Sequence, residues 1–174
     1  TQQAYDGLTA QFAEHSVDRQ YRALCWGYAK ANSGTINEPL ARHPKDRKRY
    51  AVVHGGKRAV THWEVIERFR FKVPGGEGWM SWIACRLETG RTHQVRVHLS
   101  HLGHPLVGDP MYTKPSYKPR TQLPEALRAV IAPLDHQLLH AVSLGLTHPI
   151  SGERVSRDSD PPEDYQRVLA ALRP

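Results

Sequence analysis

Cysteine is scarce: the 174 residues hold only Cys25 and Cys85, far apart in sequence. So few thiols exclude a disulfide-stapled scaffold and point to a reducing, cytoplasmic environment. Long apolar runs are missing too. No stretch approaches the roughly twenty residues of a membrane span, and no signal-peptide pattern opens the chain. The sequence has no Walker loop, no dinucleotide glycine fingerprint and no G-x-S-x-G elbow, which removes the commonest nucleotide-binding and hydrolase readings. Acidic residues are also short, 17 against 24 Lys and Arg, for a formal charge of +7.

That excess is concentrated. Basic residues gather as "RHPKDRKRY" (42–50), "GGKR" (55–58) and "KPSYKPR" (114–120). Any one run is equally well a solvated loop. Three together favour a polyanionic partner, most simply RNA, with Arg47, Lys48 and Arg49 as candidate phosphate contacts. An anionic membrane is the weaker alternative, since no basic amphipathic helix is visible.

Ala4, Leu8 and Phe12 recur every four residues and predict an amphipathic helix ending near Ser16. "QYRALCWGY" (20–28) reads as a buried strand. Residues 31–58 read as loop, broken by Gly34, Pro39, Pro44 and Gly55-Gly56. The runs 59–73 and 79–89 flank "PGGEG" and predict a β-hairpin. Thr92 is placed to cap a helix whose apolar side is Val95, Leu99 and Leu102, closed by Gly103. "PEALRAVIA" predicts a short helix and "LLHAVSLGLTHP" a strand, followed by an "ISGE" turn. Asp160, Pro161 and Glu163 are expected to start a final helix through Leu172. The fold class expected is α/β of the α+β type, a mixed, largely antiparallel sheet flanked by helices, in one domain.

Chemistry concentrates in residues 86–112, "RLETGRTHQVRVHLSHLGHPLVGDPMY". His93, His98, His101 and His104 invite a zinc reading. On a helix, however, His93 and His98 stand about 140° apart, and neither carboxylate nor cysteine completes a ligand set. Histidines bonded to backbone and solvent are the stronger account, and no metal is expected. "TGR" at a strand-to-helix junction sets Arg91 beside free backbone N–H groups, as an anion pocket requires; a surface arginine is the alternative.

The segment 86–112 closely resembles the signature of the RluA-type RNA pseudouridine synthases. "RQYRALCWG", "INEPLARHP", "GGKRAVTHWEVIE" and "LLHAVSLGLTHPISGE" agree in the same order, so the resemblance runs from residue 1 to about 155. It implies a cofactor-free isomerisation of uridine in structured RNA, most naturally ribosomal RNA, on a nucleotide flipped from its stack. It implies a tyrosine on the base at Tyr21, an aspartate-pairing arginine at Arg96 and an apolar residue near the base at Leu139; the expected RNA contact at Arg91 rests on the strand-to-helix junction itself. From the residues alone Tyr21 reads first as a core strand residue. The family's catalytic aspartate lies in an "HRLD"-type motif that these residues lack. The resemblance places that aspartate upstream of Thr1, roughly a strand and a turn before the opening helix; Asp18 and Asp109 read as structural. The expectation is thus residues 1–174 as the C-terminal portion of a synthase domain, incomplete at its N-terminus, monomeric, without membrane contact and inactive alone. The alternative is a non-catalytic RNA-binding module on the same fold.

Overall fold

The computed structural model describes residues 1–14, 16–114, 116–117 and 121–173. Its centre is a six-stranded antiparallel sheet in the order β2-β5-β6-β1-β7-β8. The strands are β1 (Asp18–Trp26), β2 (Ser33–Asn37), β5 (Val60–Val73), β6 (Gly76–Leu87), β7 (Leu139–Thr147) and β8 (Arg154–Asp158). A small hairpin, β3 (Leu40–Arg42) with β4 (Tyr50–Val52), stands beside it. Four helices complete the described residues: α1 (Gln2–Ala13), α2 (Gln94–His101), α3 (Glu125–Ile131) and α4 (Glu163–Leu172).

β1 lies inside the sheet, and its run from Ala23 to Trp26 is buried on both faces. Strand alternation sorts it. Ala23 and Cys25 join Ile83, Cys85 and Trp63 against Val95 and Leu99 of α2. Leu24 and Trp26 join Phe69, Phe71 and Met80 against α3 and α4. Within β5 the odd-numbered residues change face, because the register slips between Val65 and Glu67 and leaves Ile66 extra. This β-bulge lets Trp63 serve one core and Phe69 the other.

The hairpin expected around "PGGEG" is present, with Val73 paired to Gly76 and Gly75 at φ 82° completing a Pro-Gly turn. Gly103 closes α2 as expected. Its own N–H donates to the Ser100 carbonyl and that of His104 to the Leu99 carbonyl, the paired bonds of a Schellman end.

Other expectations need correcting. The run 31–58 holds three short strands, whose pairing comes from β5 and from the β3–β4 hairpin rather than from local propensity. Thr92 does not cap α2; the cap position is His93, held left-handed at φ 57° with no side-chain capping bond. Leu102 is 41% exposed, while Gln94, Val97 and His98 are buried. α4 starts at Glu163 behind Pro162, so Asp160 is not its cap. β8, unforeseen, pairs along β7 after the expected turn.

The opening helix is present, but it is not amphipathic in use: α1 buries none of its residues. Thr1 caps it, with the hydroxyl oxygen accepting from the Ala4 N–H at 3.3 Å. Farther along, the Gln11 amide ties α1 to the sheet, donating to the Thr147 carbonyl and accepting from its N–H. No described helix is long and apolar enough to cross a membrane.

Opposite Gly78 lies the Phe71 ring, and a Cβ there would sit 2.2 Å from its Cε2, whereas a Cβ at Gly76 meets nothing. Gly78→Ala is therefore expected to cost roughly 1–3 kcal/mol by forcing a buried ring aside. Gly76→Ala should be neutral or slightly stabilising, by up to about 1 kcal/mol. Urea unfolding of the two variants checks this; equal midpoints would contradict the packing.

Candidate functional site

The loop from Glu88 to His93 joins β6 to α2 and is held from beneath by one amide. Gln94 is 2% exposed, yet both ends of its side chain are fully bonded. Its Oε1 accepts from the Thr89 hydroxyl at 2.7 Å and from the Arg91 N–H at 3.0 Å. Its Nε2 donates to the Val60 carbonyl at 2.9 Å and to Thr61 Oγ1 at 3.0 Å. Thr89 Oγ1 in turn accepts from the Val60 N–H. The chain of bonds continues inward. His98 Nε2 donates to the Glu38 carbonyl at 3.0 Å, which leaves Nδ1 to accept from the Thr61 hydroxyl at 2.8 Å. Burial, first, holds His98 below the ordinary imidazole value, in keeping with this neutral tautomer.

A second buried assembly fixes the far side of α2. Arg96, 13 residues before Asp109, grips it with both prongs of its fork, Nε to Oδ2 and Nη2 to Oδ1, each at 2.9 Å. The Asp109 side chain is fully buried and also accepts from the N–H groups of Met111 and Tyr112. Tyr112 lies under two cations, with the Arg96 and Arg49 guanidinium carbons 5.0 and 5.2 Å from its ring centroid. Its hydroxyl accepts from the Tyr50 N–H and meets His93 Nδ1 at 3.0 Å. His93 is held below the ordinary imidazole value by burial and then by the Arg96 cation. Among the described residues His93 is the one non-glycine with positive φ. The Tyr112 contact and the flanking Tyr50 ring hold it there.

The sequence candidates fall in two places. Tyr21 and Leu139 are neighbours on the sheet face that α2 packs against, since Leu139 pairs with Ala23, two residues along β1 from Tyr21. Arg19 stands on the same face, its guanidinium against Gly90 of the loop. Arg91 extends from that loop, with Nε donating to the Arg58 carbonyl. The carboxylate at the Arg96 fork among the described residues is Asp109; the resemblance pairs this arginine with an aspartate upstream of Thr1. Thr1 itself is exposed at the cap of α1 and takes no part in the site. Arg47 and Lys48 are exposed in the β3–β4 connection, whereas Arg49 stacks on Tyr112. Lys118 and Arg120 of the third basic run lie outside the described residues. His104 Nδ1 bonds the Trp26 carbonyl, and His101 is exposed. Among the described residues no three potential ligands gather for a metal. Sequence reading does not mark Arg19, which the fold sets against Gly90, and takes Arg42 and Lys57 only as members of two basic runs, which the Leu40–Lys57 backbone pairing brings together.

Residues 1–101 match the family model described as RNA pseudouridylate synthase. Ribosomal large subunit pseudouridine synthase D of Xanthomonas campestris pv. campestris is 42% identical over 99% of this chain and 49% of its own length. The protein of that name from Zymomonas mobilis is 44% identical, over 99% and 50%. The chain thus spans about half the length of the curated relatives it matches. Human RNA pseudouridylate synthase domain containing 1 superposes with a TM-score of 0.68 at 26% identity, over 89% of this chain and 59% of that one. Human domain containing 4, at 19% identity and TM-score 0.69 over 97% and 67%, shares the fold.

One buried and one half-buried histidine make stability depend on pH. His98 and His93 both have folded values below the ordinary 6.5, so the folded state favours their neutral forms. Their contribution is whole above the unfolded value and is lost as pH falls through the folded values. The urea midpoint is expected to fall between about pH 7 and pH 5, and His98→Gln to flatten that fall. A midpoint constant across the range would contradict the assignment.

Proposed function

Because the chain belongs to the RNA pseudouridylate synthase family, we propose that it works in an enzyme converting uridine to pseudouridine in structured RNA. Relatives named for the large ribosomal subunit support ribosomal RNA as the substrate class. In this reading residues 1–174 are the C-terminal portion of one synthase domain. The observation that carries it is the convergence of Tyr21, Leu139 and Arg19 on one sheet face, with the Arg91 loop running against Arg19.

The reaction is an isomerisation. The N1–C1′ bond breaks, the uracil turns, C5 bonds C1′, a proton leaves C5 and N1 gains one. Tyr21, half-buried at the edge of the apolar cluster, offers a ring for the flipped base and a phenol for proton transfer. Leu139 excludes water beside it. Arg91, with Arg47 and Lys48, holds the RNA backbone. Arg49 supports them from its place on Tyr112.

Arg96 serves as a positioning residue: through Asp109 it fixes Tyr112, and through Tyr112 the start of α2. The attacking carboxylate is a different group. Asp109 is fully buried and spent on Arg96, while alternation puts Asp18 on the face opposite Tyr21, where it pairs with Arg154. In this reading the carboxylate comes from residues ahead of Thr1, and the chain by itself does not turn over.

Release of the C5 hydrogen from uridine-labelled ribosomal RNA tests this. The 174-residue chain should release none, and a longer protein containing it should be active. In that protein Tyr21→Phe should lower the single-turnover rate by roughly 100-fold or more. Arg96→Lys, which keeps the charge but loses the two-pronged grip, should lower rate and thermal midpoint together. Turnover by the 174 residues would return Asp18 or Asp109 to the machinery. A longer protein that binds RNA without releasing hydrogen would favour a binding module.

A further inference from the structure

The β3–β4 hairpin and the Arg91 loop enclose a cavity of about 520 Å³ whose walls include Arg42, Tyr50, Lys57 and Arg91 with the backbone of Gly55 and Gly90. Its volume is that of a small-molecule cleft. Among the described residues no carboxylate lines it. Arg58, next in sequence, is not part of this charge, because Glu88 neutralises it at 2.8 Å. The other three cations have no ion-pair partner among the described residues. Gathering them in one concavity without a counter-charge costs free energy through mutual repulsion.

The two arginine side chains are nonetheless anchored, and the lysine's backbone is fixed. Arg42 stacks on the Tyr50 ring at 5.4 Å, and its Nη1 donates to the Arg47 carbonyl at 2.6 Å. Arg91 is anchored by Nε on the Arg58 carbonyl at 3.1 Å and by its own N–H on Gln94, leaving its terminal nitrogens free to turn inward. Lys57 is placed by paired backbone bonds with Leu40, both 2.9 Å. Gly55, at φ 79°, leaves the lip without a side chain. Two guanidinium groups and an ammonium around one opening match the charge and oxygen geometry of a phosphate.

We propose that this cavity is a phosphodiester pocket, in which Arg42, Lys57 and Arg91 close on one backbone phosphate of the RNA. It rests on the reading above and adds to it a fixed point of attachment, built by the loop that also runs past Arg19 toward Tyr21. The hairpin's exposed Arg47 and Lys48 lie outside this pocket and contact further phosphates.

The test is an anisotropy titration of a ribosomal RNA hairpin with the full-length protein across a salt series. The triple variant Arg42→Ala, Lys57→Ala, Arg91→Ala should flatten the slope of log K against log[salt] by about 0.7, the share of one single-strand phosphate. A single uncharged methylphosphonate, walked along the RNA, should weaken wild-type binding at one position and leave the triple variant's affinity unchanged there. An unaltered slope overturns the pocket while leaving the enzyme reading intact. Flattening by roughly 1.4 or more would mean separate phosphates and also overturns it. A wild-type protein that does not bind RNA overturns the pocket and the enzyme reading together.

Discussion

The side-chain amide of Gln94 is the interaction on which the site depends. It ties the start of β5, the 88–93 loop and α2 together with four hydrogen bonds around a side chain that is itself buried. Each of those partners would cost about 1–3 kcal/mol if left buried and unmet, so the loop has one low-energy arrangement. Through Thr61 the same network reaches His98 and then the Glu38 carbonyl, just before the hairpin that forms the far wall of the cationic cavity. The two walls are therefore coupled by a continuous path of bonds.

Residues 86–112 look, as a string, like a concentration of catalytic groups. In three dimensions most are scaffold. Thr89, Gln94, Arg96, His98, His104 and Asp109 have their bonding capacity turned inward, to backbone or to one another. Arg91, by contrast, has its backbone N–H and Nε tied down, and no described bond takes up its terminal nitrogens. Buried polar groups cost stability unless fully satisfied, and full satisfaction leaves little freedom in position. That is the property a site needs if it is to meet a flipped nucleotide at fixed distance.

Much of the fold is legible in the sequence because local rules and tertiary packing agree in it. The Pro74-Gly75 turn, the Gly103 helix end and the apolar β1 run each require their residue types locally. β2, β3 and β4 escape such a reading because three to five residues interrupted by Gly and Pro carry no periodicity; their partners in β5 and in each other define them. The helix start at His93 is hidden because its left-handed conformation is imposed by Tyr112, nineteen residues on. For the site, the resemblance leads to Tyr21, Leu139 and Arg96 and the strand-to-helix junction to Arg91, but the Asp109 partner of Arg96 and the meeting of Arg42 with Lys57 belong to the folded chain alone.

Gln94 locks the loop that presents Arg91. Native-state hydrogen exchange at the Arg91 amide, which donates to Gln94 Oε1 at 3.0 Å, tests it most directly. Gly90 and Thr92 on either side are exposed and serve as internal references. The Arg91 amide should exchange at least about 100-fold more slowly than either neighbour, since its bond breaks only when the buried network opens. Exchange of Arg91 at the rate of Gly90 and Thr92 would mean that the loop is not held, and would contradict the claim.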